Sequence, residues 1–280
     1  MRRRLLVGTG LIIPLVVVWL DACVGSDPDF AAPLEAGAPR DGSGDATTAE
    51  TSVAPGSVDA GGHAGDAAVF GCSQAVDATF CDDFDGLGLA PRWRPSTFGD
   101  GSAVQLVDGG LSFPSALGAW IPSGVDVAGA AVVHLASARS RIRVRGDFKV
   151  ESFGAAEGDY VMLLAVTAAI EPLTGARVVA YPKTGIAYLS VVNQGTDQVL
   201  ASREITGATF GDWTSVDLAV TLEPAVSATL QLGASRVATD VDASSTVAPP
   251  TVTVQAGIPL GSSTLGATRV LVDNVAAWIE

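Results

Sequence analysis

Arg141-Ile142-Arg143-Val144-Arg145-Gly146-Asp147-Phe148-Lys149-Val150-Glu151 is the stretch on which the fold turns. Charged and apolar residues alternate with a period of two, and the alternation resumes after Gly146. Successive side chains of a strand point to opposite faces, so the charges face water while Ile142, Val144, Phe148 and Val150 face a core. Runs of the same kind recur at Ala103 to Val107, Ala130 to Leu135, Tyr160 to Thr167, Arg177 to Tyr181, Ile186 to Val192, Val199 to Ile205, Trp213 to Leu222, Val226 to Leu232, Thr251 to Ala256 and Ala267 to Ile279. Turn formers bound many of them, among them Gly158-Asp159, Pro182 to Gly185, Asn193 to Gly195 and Gly257 to Pro259. No stretch carries a capped amphipathic helix of about ten residues or more. Many short strands with frequent turn signals predict an all-β, two-sheet antiparallel sandwich, and one such domain accommodates residues 71–280. The run Tyr160 to Val166 is apolar on both faces and suits a central strand. Trp213 and Trp278 are expected in the core, each indole N–H donating to a carbonyl.

The first seventy residues have a different physical character. Arg2, Arg3 and Arg4 precede an uncharged, largely apolar run from Leu5 to Leu20, the form of a secretory signal. Sixteen residues make a helix of about 24 Å, short of the roughly 30 Å of a bilayer core, which favours a cleaved signal (1–22) over a retained anchor. Between Val24 and Phe70 eight acids stand against one base, Arg40, and small residues, Gly and Pro fill the spaces. Such a segment buries too little apolar area to offset about 1–2 kcal/mol of backbone entropy per residue, so 23–70 is expected to be a disordered acidic tether. A Gly-rich coil of that length reaches roughly 40 Å. The whole chain carries −14 with a pI near 4.4, which argues against nucleic acid and against electrostatic docking to anionic lipid.

Leu20-Asp21-Ala22-Cys23 resembles a bacterial lipobox, atypical in its Asp21. The resemblance implies lipidation of Cys23, a membrane as partner through that lipid, and an outer-membrane or cell-surface location, since Val24 rather than aspartate follows the cysteine. A soluble secreted protein is the alternative. With Cys23 so assigned, Cys72 and Cys81 remain as an even pair in an oxidising compartment and are expected to form a disulfide, the alternatives being free thiols or a metal pair. The metal pair is poor, because His63 and His134 are the only histidines and no further cysteine completes a tetrahedral site.

Three motifs carry a wider resemblance: Phe80-Cys81-Asp82-Asp83-Phe84-Asp85-Gly86 with Trp93, Gly211-Asp212-Trp213-Thr214-Ser215-Val216-Asp217-Leu218, and Thr268-Arg269-Val270-Leu271-Val272-Asp273-Asn274-Val275. Together they resemble the concanavalin A-like, laminin G-like jelly-roll domains of exported bacterial proteins, over about residues 78–280. The resemblance implies two curved antiparallel sheets, with the opening strand beside the closing one and glycan binding, adhesion or glycan cleavage as activity. Hydrolytic members carry an ExDxE or ExDxxE strand, which is absent here. Glu151 and Glu157 flank Gly154, and Asp217 and Glu223 have opposite strand parity. No catalytic residue is assigned.

Pairing of the first and last strands would gather Asp83, Asp85 and Asp273, with Asn274, as hard oxygen ligands for a structural calcium; as ordinary strand and turn acids they would bond backbone amides instead. For a sugar, Trp120, Tyr181 and Tyr188 are expected platforms, with Tyr160 a further ring and Asn193 and Gln194 as polar neighbours. Each ring also fits plain core or edge packing. Arg141, Arg143 and Arg145 read either as an anion-binding stripe or as a solvated face paired with acids, and His134 as a structural histidine. The functional expectation is a surface-anchored, noncatalytic binding domain for a glycan or another envelope component. A divergent glycoside hydrolase using acids from neighbouring strands, and a structural or adhesive envelope protein, are the alternatives.

Overall fold

The computed structural model describes residues 71–280 apart from 113, 155, 169–173, 194, 224, 242–248 and 250. The signal (1–22), the tether (23–70), Cys23, His63 and Gln194 lie outside the described residues. After a short 3-10 turn at Cys72–Gln74, the described residues form strands throughout. No helix among them is long and apolar enough to cross a membrane.

Two antiparallel sheets make the sandwich. The first runs β13 (Ser235–Val241), β12 (Val226–Leu232), β11 (Thr214–Thr221), β6 (Arg141–Phe153), β15 (Thr268–Ile279), β4 (Ser115–Ile121) and β3 (Ala103–Asp108), with β1 (Phe80–Asp82) also on β15. The second runs β10 (Gln198–Thr206), β9 (Ile186–Asn193), β8 (Thr174–Tyr181), β7 (Val161–Ala168), β14 (Thr251–Ser263), β5 (Gly124–Ala136) and β2 (Arg94–Phe98). This is the two-sheet antiparallel sandwich expected of the alternating runs. The opening strand does meet the closing one, Phe80 pairing with Ala277 and Asp82 with Val275.

One core lies between the sheets. Ile142, Val144, Leu218, Leu230, Val270 and Val272 come from the first; Ala176, Val178, Leu189, Val191, Val252 and Val254 come from the second. The alternating strand keeps its parity: Ile142 and Val144 are fully buried, while Arg141 is exposed and Arg143 and Arg145 are half-buried on the other face. β7, apolar on both faces, is buried along nearly its whole length. It pairs with β8 and β14 in the middle of the second sheet.

The opening motif serves the core. Trp93 is 1% exposed, stacks on Phe84 and meets Phe80 edge-on, and its indole N–H donates to Asp82 at 3.2 Å. The disulfide between Cys72 and Cys81 is present and closes the loop before β1.

Three expectations are corrected. Gly257 to Pro259 is no turn: β14 runs through it to Ser263, with its register against β5 shifting between Ile258 and Gly261. Gly257 sits at φ +115°, and a Cβ there would lie 2.9 Å from Ala119 Cβ and 3.0 Å from the Gly129 carbonyl oxygen, so glycine serves close backbone approach inside the strand. Trp213 precedes β11 and lines a surface cleft, half-buried. Trp278 is also half-buried, and its indole N–H does reach a carbonyl, that of Val76 at 3.1 Å.

Candidate functional site

Each sheet turns one face away from the core, and each such face carries a cleft. On the second sheet, β8 and β9 bury Ala176, Val178, Ala180, Ala187 and Leu189, so the opposite parity presents Arg177, Val179, Tyr181, Tyr188 and Ser190 outward. Cross-strand pairing sets Tyr188 opposite Val179 and Glu204, and Ser190 opposite Arg177 and Ser202. Tyr160, just before β7, and Asp126 on β5 close one end, and Asp197 in the β9–β10 turn reaches in from the other. The cleft encloses about 350 Å³.

Three tyrosines therefore gather in one place. Tyr181 and Tyr188 have ring centroids 5.6 Å apart at 80°, and Tyr160 and Tyr181 lie 6.0 Å apart at 43°. The Tyr188 hydroxyl donates to Glu204 Oε2 at 2.8 Å, and this acceptor raises the phenol above its usual range. Burial, then the Asp126 charge and its hydrogen bond, raise Tyr160 as well. The Tyr188 phenol is thus held neutral, as a donor to a carboxylate. Arg177 donates from Nη1 to Asp197 Oδ1 at 3.3 Å; its side chain is 17% exposed and its Nε has no hydrogen-bond partner. Asp126 and Asp197 both sit at positive φ, +54° and +51°, a region aspartate enters more readily than most residues.

The structure brings Tyr181 and Tyr188 together with Tyr160, and leaves the other expected ligand contacts elsewhere. Trp120 belongs to β4 in the first sheet, opposite Ala103 and Arg269. Asn193 ends β9 at the parity opposite to Tyr188; its Oδ1 accepts the Gly195 N–H at 3.0 Å and caps the turn. Arg177, Asp126, Asp197, Ser190 and Ser202 were missed as site residues. Arg177 had a signal, a lone cation at the outward parity of an apolar strand; the two aspartates had none, since their place depends on connections between strands.

The first sheet's cleft is larger, about 850 Å³, and is lined by Arg143, Arg145, Asp147, Trp213, Ser215, Asp217 and Gln231. The arginine stripe follows the paired reading. Arg143 grips Asp217 through Nε at 2.9 Å and through Nη2, and lies over the Trp278 ring; Arg141 pairs with Glu280 at 3.4 Å. Asp147 is 5% exposed; burial raises its carboxyl against the Asn274 hydrogen bond at 3.1 Å and the Arg145 charge. His134 bonds Thr253 Oγ1 through Nδ1 at 3.0 Å across β5 and β14, a structural role.

Asp83, Asp85 and Asp273 are not gathered into a metal-holding cluster, and no group of three His, Cys, Asp or Glu among the described residues is placed to hold one. Asp273 is fully buried opposite Asp147; its oxygens accept the Ser112 N–H at 2.8 Å, the Ser112 hydroxyl and the Asn274 N–H, and burial still pushes its carboxyl up. Asp85 is exposed and accepts the Ser115 N–H at 3.4 Å. Asn274, at φ +53° in the bulge of β15, is fully buried with Oδ1 lacking a partner among the described residues.

No protein-family model matches the chain, and no curated protein is similar to it in sequence. Among solved structures it is similar to an endo-1,3-beta-glucanase from Streptomyces sioyaensis, at 11% identity and TM-score 0.47, over 72% of this chain and 96% of that one. It is similar to a cellulose-induced protein at 14% identity and TM-score 0.48, over 71% and 96%. The binding domain of botulinum neurotoxin serotype D is a third, at 12% identity and TM-score 0.43, over 67% of this chain and 43% of that one. At such values, what the chain binds rests on its own side chains.

Proposed function

We propose that this chain is a noncatalytic glycan-binding protein whose site is the tyrosine cleft on the second sheet. The observation that carries the reading is the convergence of Tyr160, Tyr181 and Tyr188 with Arg177, Asp126, Asp197 and Ser190 around one groove. Sugars present C–H faces and hydroxyls, which aromatic rings and a few placed polar groups complement. The first sheet's cleft is more than twice as large yet has one ring in its lining, Trp213, and Arg143 and Asp217 are already engaged with each other, Asp147 with the Asn274 amide.

A hydrolase would use that larger cleft, with Asp147, its carboxyl raised by burial, as acid and Asp217, hydrogen-bonded to Arg143, as base. The two-contact grip of Arg143 on Asp217 and the near-complete burial of Asp147 favour a charge network on a sheet face instead. A glycan array with the full chain and with Tyr181→Ala tests the binding reading: signal on a defined set of glycans, lost in the variant, is expected. No signal on any glycan overturns it. Release of reducing sugar that Asp147→Asn abolishes would establish the hydrolase.

We further propose that the chain is exported, loses residues 1–22, and is lipid-anchored through Cys23 at the outer membrane, with 23–70 as tether. Mass measurement of the mature N-terminus in the wild type and in Cys23→Ser tests this, and an unmodified Cys23 ends it.

A further inference from the structure

The tyrosine rings are not coplanar and so do not make one flat platform; they are inclined at 43° and 80° to one another, with centroids 5.6–6.0 Å apart. Inclined aromatic walls suit a compact cation, which each ring's negative face attracts. The charges around the walls agree. Arg177 is paired with Asp197, Asp126 lines the cleft with Tyr160, and Glu204 holds the Tyr188 hydroxyl, so three carboxylates stand in or beside a cleft whose lining carries one guanidinium. A phenol that donates to a carboxylate also has a more electron-rich ring. Resting on the glycan reading above, we propose that the sugar taken by this cleft bears a free ammonium group: the ligand is an aminoglycan of deacetylated hexosamine units. The ammonium sits against Tyr181 and Tyr188 and is balanced by the carboxylates at the rim, while Ser190 and Ser202 face neighbouring hydroxyls.

An acidic sugar is the opposite assignment, and among the described residues lining the cleft Arg177 is the one cation that would serve it. Its guanidinium already faces Asp197, and an added carboxylate would meet Asp126, which has no cation of its own in the cleft lining. N-acetylation of the sugar would remove the charge that the site is built around.

The full chain is titrated calorimetrically, at mildly acidic pH, with a glucosamine hexamer, its N-acetylated counterpart, a polyuronate oligomer and, as a control polycation, oligolysine. The free-amine hexamer is expected to bind at least about tenfold more tightly than the acetylated one, roughly 1.4 kcal/mol. Asp126→Asn and Asp197→Asn should each erode that preference, and Tyr181→Ala, which removes no charge, should abolish binding. Equal affinity for the free and acetylated hexamers, both lost in Tyr181→Ala, overturns the ammonium assignment and leaves glycan binding standing. Preference for the polyuronate overturns the assignment too. Oligolysine bound as tightly as the hexamer, or hexamer binding unaffected by Tyr181→Ala, shows attraction to diffuse acidity and overturns it. Absence of binding to all the sugars, together with a silent glycan array, removes both readings.

Discussion

At the scale of single residues, buried carboxylates divide into two kinds. Asp159 accepts from Ser262 Oγ at 2.6 Å, from Thr264 N–H at 2.7 Å and from Ala156 N–H at 2.8 Å, tying the loop before β7 to the end of β14 and the residue after it. Burial alone would raise its carboxyl, but these donors outweigh it and hold it well below the usual range. Its folded pKa is therefore below its unfolded value. The stability it contributes is present above the unfolded pKa of about 3.9 and lost as pH falls towards the folded one. Asp159→Ala is expected to cost about 2–4 kcal/mol near neutrality, since several charge-assisted bonds go. The deficit should shrink in acid unfolding curves below about pH 3. Asp147 is the reverse case, its carboxyl raised by burial, so protonation favours the fold and ionisation opposes it. Asp147→Asn keeps an acceptor for the Asn274 amide and removes the buried charge. It should raise the melting temperature at pH 7 and lose that advantage once pH falls below the unfolded carboxyl value. A lower melting temperature at pH 7 would refute this account. Neither role was legible in sequence, because burial and donors at Asp159 come from segments about a hundred residues apart.

At the scale of elements, alternation was a sound guide to strands and a poor one to their ends. The ten runs read from periodicity all correspond to strands, and Arg141 to Glu151 lies within one continuous β6. The strands at Arg94–Phe98, Ser115–Ile121 and Ser235–Val241 carried no such signal. Ser115–Ile121 shows why: it reads Ser-Ala-Leu-Gly-Ala-Trp-Ile, and a strand wedged between β3 and β15 needs small side chains more than alternation. Gly257 misled in the other direction, since glycine marks both turns and bulges in strands. Its positive φ and the nearness of Ala119 and Gly129 set an expectation: Gly257→Ala should destabilise the protein by about 2–4 kcal/mol. Chemical denaturation checks it, and a loss below about 0.5 kcal/mol would mean that the bulge accommodates a side chain.

At the scale of the molecule, β15 and β6 stand near the middle of the first sheet, β7 and β14 near the middle of the second, while β13, β3, β10 and β2 are edges. Amide exchange should therefore be slowest in the central four and fastest in the edge strands; uniform protection would contradict a cooperative core with frayed margins. The sandwich and its single core were readable from local pattern, because period-two burial needs no knowledge of distant neighbours, and the partnership of Cys72 with Cys81 was expected once the lipobox resemblance set Cys23 aside. The candidate site was readable in part: Tyr181 and Tyr188, singled out in sequence, line the cleft, while Trp120 and Asn193 lie on another sheet and in a turn. Chain order by itself determined the alternation of inward and outward positions along most strands, Trp278 in β15 being an exception. Only the tertiary structure decided which outward faces become neighbours, since that depends on the order of strands in a sheet. That order set Tyr160, Arg177, Tyr188 and Asp126 around one cleft, although they come from four separate segments of the chain.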